Sequence, residues 1–178
     1  MKTLNGPTES LLIITGAMGS GKTSVMAEAS DLLGQRQIVH AAIDLDALGL
    51  SHLPAGARGD FAMYDNLRSI CGNYAALGVQ RFLVARAMEN HAELARCRDI
   101  IPAASTFVCR LAASVETAQQ RVQLRESGIS QREYVARVAE LNDILDRARL
   151  EDFAIVNENR PLTDVAFEML VTAGWVSN

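Results

Sequence analysis

The feature that most constrains the fold is a short apolar run that leads directly into a glycine-rich loop and then into a helix-forming segment. Residues 11–15 read LLIIT, which predicts a strand buried on both faces. The loop 16–23 fits the pattern G-x-x-x-x-G-K-[ST], and residues 23–33 form helix and stop before Gly34. This pattern is informative only between a strand and a helix, and both are predicted here. The sequence therefore predicts a phosphate-binding loop.

Each residue type in this loop suits a nucleoside triphosphate. Glycines let backbone N–H groups turn inward around an anion, and the helix N-terminus adds positive potential. Lys22 supplies positive charge to the transferred phosphoryl group, and the Thr23 hydroxyl ligates Mg²⁺. We therefore predict ATP and Mg²⁺ as cofactors. The predicted nucleotide-binding residues of the loop are Gly16, Ala17, Met18, Gly19, Ser20, Gly21, Lys22, Thr23 and Ser24.

Strand-like and helix-like segments alternate along the rest of the chain. Further strands are predicted over 38–43, 81–87, 106–111 and 153–156. Further helices are predicted over 60–77, 90–101, 114–126 and 131–150, and a last helix follows a turn at 159–161 and ends at 173. This alternation predicts a three-layer α/β/α fold with a five-stranded parallel sheet. Since no repeat or low-complexity linker interrupts it, we expect one domain over residues 1–178, with a small helical lid at about 126–150.

Charge, hydropathy and cysteine content narrow the possible partners. A net charge of −4 gives no general attraction to nucleic acid or anionic membranes, and the apolar runs are too short to span a bilayer. No signal peptide is visible in residues 1–7. The widely spaced Cys71, Cys97 and Cys109 are typical of free thiols in a reducing compartment. We expect a cytoplasmic monomer or homodimer whose partner is a small-molecule acceptor, not nucleic acid or membrane.

A second motif, Asp44-Leu45-Asp46, follows the second predicted strand. The carboxyl ends of neighbouring parallel strands face one crevice, so both carboxylates should lie near the γ-phosphate. Residues i and i+2 of a strand end point to one side, so we expect Asp44 to face Mg²⁺ and Asp46 to face a substrate hydroxyl. A polar strand end that caps a helix is the simpler alternative.

Two other classes of P-loop protein are disfavoured. Residues 46–49 fit the D-x-x-G pattern of GTPases, but no N-K-x-D guanine motif follows. The third predicted strand ends without the acid that AAA, ABC and helicase machines need for metal and water activation. Its absence favours a small kinase.

Arginines and asparagines supply the remaining candidates. Arg121 and Arg125 lie one turn apart on a predicted helix, where Arg125 could cover the γ-phosphate; a solvated helix with internal ion pairs is the alternative. The candidate substrate residues are Asp44, Asp46, Arg58, Asn66, Asn73 and Arg86. Among these Arg58, together with the nearby Arg68, would suit an anionic substrate.

Taken together, these motifs resemble the P-loop small-molecule and nucleotide kinases, such as shikimate kinase, gluconate kinase, chloramphenicol phosphotransferase and the nucleoside monophosphate kinases. Uncharacterised bacterial proteins described as AAA-family or adenylylsulfate-kinase-like are more similar, since they share I-D-x-D-x-L-G and the C-R-L of residues 109–111. The resemblance implies that Arg121 and Arg125 are adenine-stacking and lid arginines. It also implies that the loop 156–161, with Asn157 and Arg160, lies beside the adenine. The chain departs from shikimate kinases at residues 85–87, where A-R-A replaces a glycine triplet.

The sequence thus predicts an ATP-dependent phosphotransferase that acts on a hydroxyl or phosphate of a small molecule. Lys22, Asp46 and Arg125 are the predicted catalytic residues, and Thr23 and Asp44 the predicted metal ligands. Two alternatives stay open. One is an antibiotic-modifying or toxin-like kinase, and the other is a regulatory nucleotide-binding ATPase module without transfer.

Overall fold

A five-stranded parallel sheet forms the centre of the protein, in a computed structural model that describes residues 8–177. Its strands are β1 (Thr8–Thr15), β2 (Ala41–Asp44), β3 (Arg81–Ala85), β4 (Ala103–Ala112) and β5 (Phe153–Val156), in the order β2-β3-β1-β4-β5. The strand β1 is central, with Ser10 opposite Arg81 on one side and Ser105 on the other. This arrangement confirms the predicted parallel sheet.

Helices cover both faces of the sheet. They are α1 (Lys22–Gln35), α2 (Leu45–Leu48), α3 (Gly59–Ala76), α4 (His91–Ile100), α5 (Val115–Arg125), α6 (Gln131–Ala148) and α7 (Leu162–Thr172). Leu11 and Ile13 pack with α3 and α4, whereas the alternating Leu12 and Ile14 pack with α1 and α7. All four side chains are fully buried, which confirms a strand buried on both faces and a three-layer fold.

The helices α5 and α6 stand apart from these two layers. Ala118 and Val122 of α5 pack with Val138 of α6, and Met18 of the phosphate loop packs against them. Leu141 and Leu145, further along α6, pack with Ala17. The predicted lid region therefore corresponds to α6 and its connection to α5, and both helices rest on the loop.

Some element boundaries differ from the sequence prediction. The predicted strand 38–43 is wrong at its start, because Gln37 adopts a positive φ of 57° and Ile38 N–H bonds back to the Leu33 carbonyl. His40, placed in a strand by its apolar neighbours, instead bonds Ser30 of α1 and the Ile38 carbonyl. The third strand ends at Ala85, two residues early, and β4 is longer than predicted because Ala103 pairs with Thr8.

The described residues bear on two expectations, that no helix spans a membrane and that the cysteines are free thiols. None of the helices within residues 8–177 is long and apolar enough to cross a bilayer. Cys71, Cys97 and Cys109 are all free and buried. The segment 1–7, in which no signal peptide is predicted, lies outside the described residues.

Candidate functional site

A cavity of about 320 Å³ opens where β1 and β2 end. It brings together the phosphate loop, the D-x-D segment and the end of α5. The lining residues are Met18, Gly19, Gly21, Lys22, Thr23, Ser24, Asp44, Asp46, Ala47, Leu50 and Arg125. All but Ala47 and Leu50 were candidates from the sequence, and those two follow the D-x-D motif directly. Ala47 lies in α2 and Leu50 lies just beyond it, so their position directly after the motif is the signal that could have identified them.

Two glycines of the loop are required by their neighbours as well as by their backbone angles. Gly19 has φ 77°, and a Cβ there would lie 2.2 Å from the Ala118 carbonyl oxygen of α5. Gly21 has φ 96°, and a Cβ there would lie 2.3 Å from Nδ2 of Asn157. Positive φ and close approach both favour glycine, so the loop is fitted to the helix and the β5–α7 loop around it.

Lys22, at the start of α1, lies half-buried beneath the loop. Its Nζ donates to the carbonyl oxygens of Gly16 at 3.0 Å and Ala17 at 3.1 Å. Burial lowers the pKa of Lys22 to about 8, although the charges of Asp46 and Asp44 act in the opposite direction. The ammonium is thus held by neutral carbonyls, which leaves its charge available to a phosphate.

The first aspartate of the D-x-D motif joins the loop to β2. Thr23 Oγ1 donates to Asp44 Oδ2 at 2.7 Å, while Asp44 Oδ1 accepts from the Asp46 N–H at 3.1 Å and so caps α2. The expected strand-end geometry is therefore wrong, since Asp46 lies in the first turn of a helix. Both carboxylates nevertheless line the cavity, and the capping role of Asp44 accompanies its place there.

The oxygens of Thr23 and Asp44 fit Mg²⁺. Hydroxyl and carboxylate oxygens are hard donors, and Mg²⁺ usually takes few protein ligands and completes its shell with phosphate oxygens and water. Among residues 8–177, no group of three or more His, Cys, Asp or Glu side chains could hold a metal ion by itself. A magnesium ion here would therefore depend on the nucleotide for further ligands.

The second aspartate is held from behind by an arginine. Arg86 Nη1 lies 2.7 Å from Asp46 Oδ1, and Arg86 Nη2 lies 3.7 Å from Glu93 Oε1. Burial lowers the pKa of Arg86, but Glu93 and Asp46 outweigh it and the net effect is a raised pKa. Arg86, a predicted substrate residue, therefore supports Asp46 and does not line the cavity.

Glu93 was missed by the sequence analysis. It lies in the first turn of α4, where its N–H bonds Asn90 Oδ1 and its carboxylate accepts from the Glu89 N–H at 3.1 Å. The spacing Asn90-x-x-Glu93 is typical of a capping box, which is the signal that could have placed it at a helix start near the end of β3.

The predicted adenine-side residues brace the loop from the other side. Arg121 donates to the carbonyl oxygens of Gly19 at 3.3 Å and Asn157 at 2.9 Å. The side chain of Asn157 is buried and donates to the Ser20 carbonyl oxygen at 2.8 Å. Arg125 lines the cavity itself and pairs with Glu126 at 2.9 Å.

The predicted residues Arg58, Asn66, Asn73 and Arg160 neither line this cavity nor hydrogen-bond to the phosphate loop. Arg58 is exposed, pairs with Asp60 at 3.6 Å and stacks 4.1 Å from the centre of the Phe61 ring. Asn66 donates to the Leu48 carbonyl oxygen, and Asn73 is exposed two turns further along α3. Arg160 pairs with Glu168 of α7.

Comparison with known proteins establishes the fold of this chain through solved structures alone. No protein-family model matches the chain, and no curated protein matches it in sequence. Among solved structures, a gluconokinase from Sinorhizobium meliloti 1021 superposes with a TM-score of 0.65 at 15% identity, over 95% of this chain and 94% of that one. The Mycobacterium tuberculosis APS kinase in complex with AMPPNP and APS gives 0.64 at 17% identity, over 96% and 100%.

A tunicamycin resistance protein from Deinococcus radiodurans gives a TM-score of 0.63 at 15% identity, over 94% of this chain and 97% of that one. At such identities a likeness establishes the fold alone. The chain has the three-layer α/β/α fold of the P-loop kinase structures.

Proposed function

We propose that this protein is an ATP-dependent phosphotransferase that acts on a hydroxyl or phosphate group of a small molecule. One observation carries the proposal. A single cavity is lined by the phosphate loop with Lys22, by the Thr23–Asp44 pair, and by Asp46 and Arg125. These are the groups needed to bind a nucleoside triphosphate, to hold its metal ion and to receive a proton from an acceptor.

The chain's own residues would divide the work as follows. Loop N–H groups and Lys22 would bind the phosphates. Thr23 and Asp44 would hold Mg²⁺, which would neutralise charge on the phosphate oxygens. Asp46 orients the acceptor hydroxyl and takes its proton. Arg125, from α5, adds positive charge beside the transferred group.

The presence of Asp46 and Arg125 in the cavity favours transfer over a regulatory module that only binds nucleotide. Transfer to an acceptor hydroxyl requires a group that takes its proton and positive charge beside the phosphoryl group, and Asp46 and Arg125 can supply both. The likeness to an APS kinase bound to AMPPNP supports ATP as the nucleotide. The likeness to a tunicamycin resistance protein makes antibiotic phosphorylation a second candidate with the same chemistry.

ATP consumption with a panel of metabolites and antibiotics tests the proposal. We expect product phosphate esters in proportion to the ADP formed, and Lys22→Ala should lower turnover at least about 100-fold, since one lost transition-state donor costs about that much. The matched control is Arg98→Ala, which removes an exposed positive charge from α4 at a residue that does not line the cavity.

Circular dichroism checks that both variants are folded. Unchanged turnover in Lys22→Ala would contradict the phosphate role of the loop. Tight ATP binding by the wild-type protein without any phosphate ester would instead identify a binding module.

A further inference from the structure

The positive charges that line the cavity are both placed for the nucleotide. Lys22 lies under the phosphate loop and Arg125 comes from α5; no other Lys or Arg side chain among the described residues lines the cavity. A magnesium-bound triphosphate is itself an anion, so it can use both charges. An acceptor would therefore contact the other side of the cavity, formed by Asp46, Ala47 and Leu50, which we name the acceptor wall.

Arg86, which contacts Asp46 of this wall, is already paired with carboxylates. Arg86 contacts Asp46 at 2.7 Å and Glu93 at 3.7 Å, so one guanidinium faces two carboxylates and the group of three keeps a net charge of −1. The Arg86 side chain is only 20% exposed, and its Nη1 also lies 3.4 Å from Met63 Sδ. It is held behind Asp46 and cannot turn to an anionic acceptor without leaving that carboxylate unpaired.

Arg58 and Arg68, the two arginines that led us to expect an anionic substrate, do not line this cavity. Arg58 pairs with Asp60 and stacks on Phe61. Arg68 lines a separate cavity between α3 and α4, together with Asp65 and Asp99. Neither side chain lines the cavity that holds the acceptor wall.

What the wall offers instead is a carboxylate and apolar surface. Asp46 Oδ1 is taken by Arg86, whereas Oδ2 accepts no hydrogen bond from the described residues. Beside it lie Ala47 and the Leu50 side chain, which is 91% exposed. A free carboxylate oxygen accepts from a hydroxyl or an ammonium group and repels another anion.

We propose that the acceptor is a hydroxyl compound without negative charge, either neutral or carrying an amine. This inference rests on the proposed phosphotransfer and narrows it, because it excludes phosphate, sulfate and carboxylate compounds as acceptors. Transfer then breaks the bond between the γ-phosphorus and the β–γ bridging oxygen of ATP and forms a bond to the acceptor oxygen. The hydroxyl proton passes to Asp46, and ADP leaves.

A cysteine placed on the acceptor wall tests its charge without knowledge of the acceptor. Ala47→Cys adds a thiol at an exposed position, and Ala76→Cys at the exposed end of α3 is the matched control. The native Cys71, Cys97 and Cys109 are buried, and burial raises the pKa of each to about 12, so they stay unreactive.

The probes are a trimethylammonium-ethyl and a sulfonato-ethyl methanethiosulfonate, applied with Mg²⁺ and AMPPNP present. We expect the cation-to-anion ratio of labelling rates to be several-fold higher for the thiol introduced by Ala47→Cys than for the one introduced by Ala76→Cys. Adding Asp46→Asn should lower that ratio. A ratio equal to or below the control, or one unaffected by Asp46→Asn, overturns the inference.

A second arm separates this inference from the proposed function. Wild-type protein is given ATP with sorbitol, its 1-amino-1-deoxy analogue or gluconate, and phosphate esters are measured. Ester formation from gluconate overturns the inference on charge while it supports phosphotransfer. Preferential cation labelling supports the inference on charge, even where the absence of any ester across a wide acceptor panel counts against phosphotransfer.

Discussion

At the scale of single residues, Lys22 links the site to the stability of the fold. Burial lowers its pKa from 10.5 to about 8, so between these values the unfolded chain binds more protons than the folded one. Stability therefore rises with pH across this window, and the full cost of burying the charge is present below pH 8. Such a shift corresponds to about 3 kcal/mol at most.

We predict that Lys22→Met stabilises the nucleotide-free protein at pH 7. Removal of the buried charge contributes about 1–3 kcal/mol, and the loss of the hydrogen bonds to the Gly16 and Ala17 carbonyls offsets part of this gain. The gain should shrink toward pH 10. Urea unfolding at both pH values measures it. Arg132→Met, at an exposed arginine of α6, should show the same small effect at both. A destabilised Lys22→Met protein at pH 7 would contradict the account.

At this scale the sequence predicted best where a motif fixes the position of a side chain. The spacing of the loop placed Lys22 and Thr23 beside the cavity, because a strand, an anion nest and a helix leave few alternatives. Arg86 follows β3, and nothing in the sequence indicates that Glu93 and Asp46 take its charge. That outcome depends on contacts between α2, α4 and the sheet.

At the scale of elements, the close contact of α5 with the phosphate loop leads to a prediction. Gly19→Ala combines a positive φ of 77° with a Cβ placed 2.2 Å from the Ala118 carbonyl, so either the loop or α5 must move. We expect a loss of at least about 2 kcal/mol of stability and weaker nucleotide binding.

The matched control is Gly72→Ala within α3, where an added Cβ meets no atom within 4 Å. It should stabilise the protein by about 0.5–1 kcal/mol, since alanine is the better helix former. Denaturant unfolding and nucleotide titration compare the two variants. Equal effects on both quantities would show that α5 does not constrain the loop.

Strands and helices were predicted well from apolar runs, but the segment around β2 was not. Residues 38–40 look like strand by composition, yet the turn at Gln37 directs Ile38 and His40 back onto α1. Asp46 was assigned to a strand end, whereas the cap formed by Asp44 starts a helix there. In both places a local hydrogen bond determined the geometry, which hydrophobic periodicity does not report.

At the scale of the whole molecule, we predict that residues 8–177 unfold as one unit. Trp175, the single tryptophan, is 6% exposed and its indole N–H donates to Ser10 of β1, so its fluorescence reports the α1–α7 side of the core. Far-UV circular dichroism reports all helices, including α5 and α6. The two urea transitions should coincide. A separate transition seen only by circular dichroism would identify α5 and α6 as an independently unfolding unit.

The central place of β1 has a consequence for synthesis on the ribosome. Its partner β4 begins at Ala103, so about 95 residues must be added after Thr8 before β1 can be hydrogen-bonded on both sides. At about 5–20 residues per second this takes roughly 5 to 20 s. During that interval one side of β1 has no strand to pair with in the growing chain. The phosphate loop that follows it can therefore offer ATP no finished site until most of the chain has emerged.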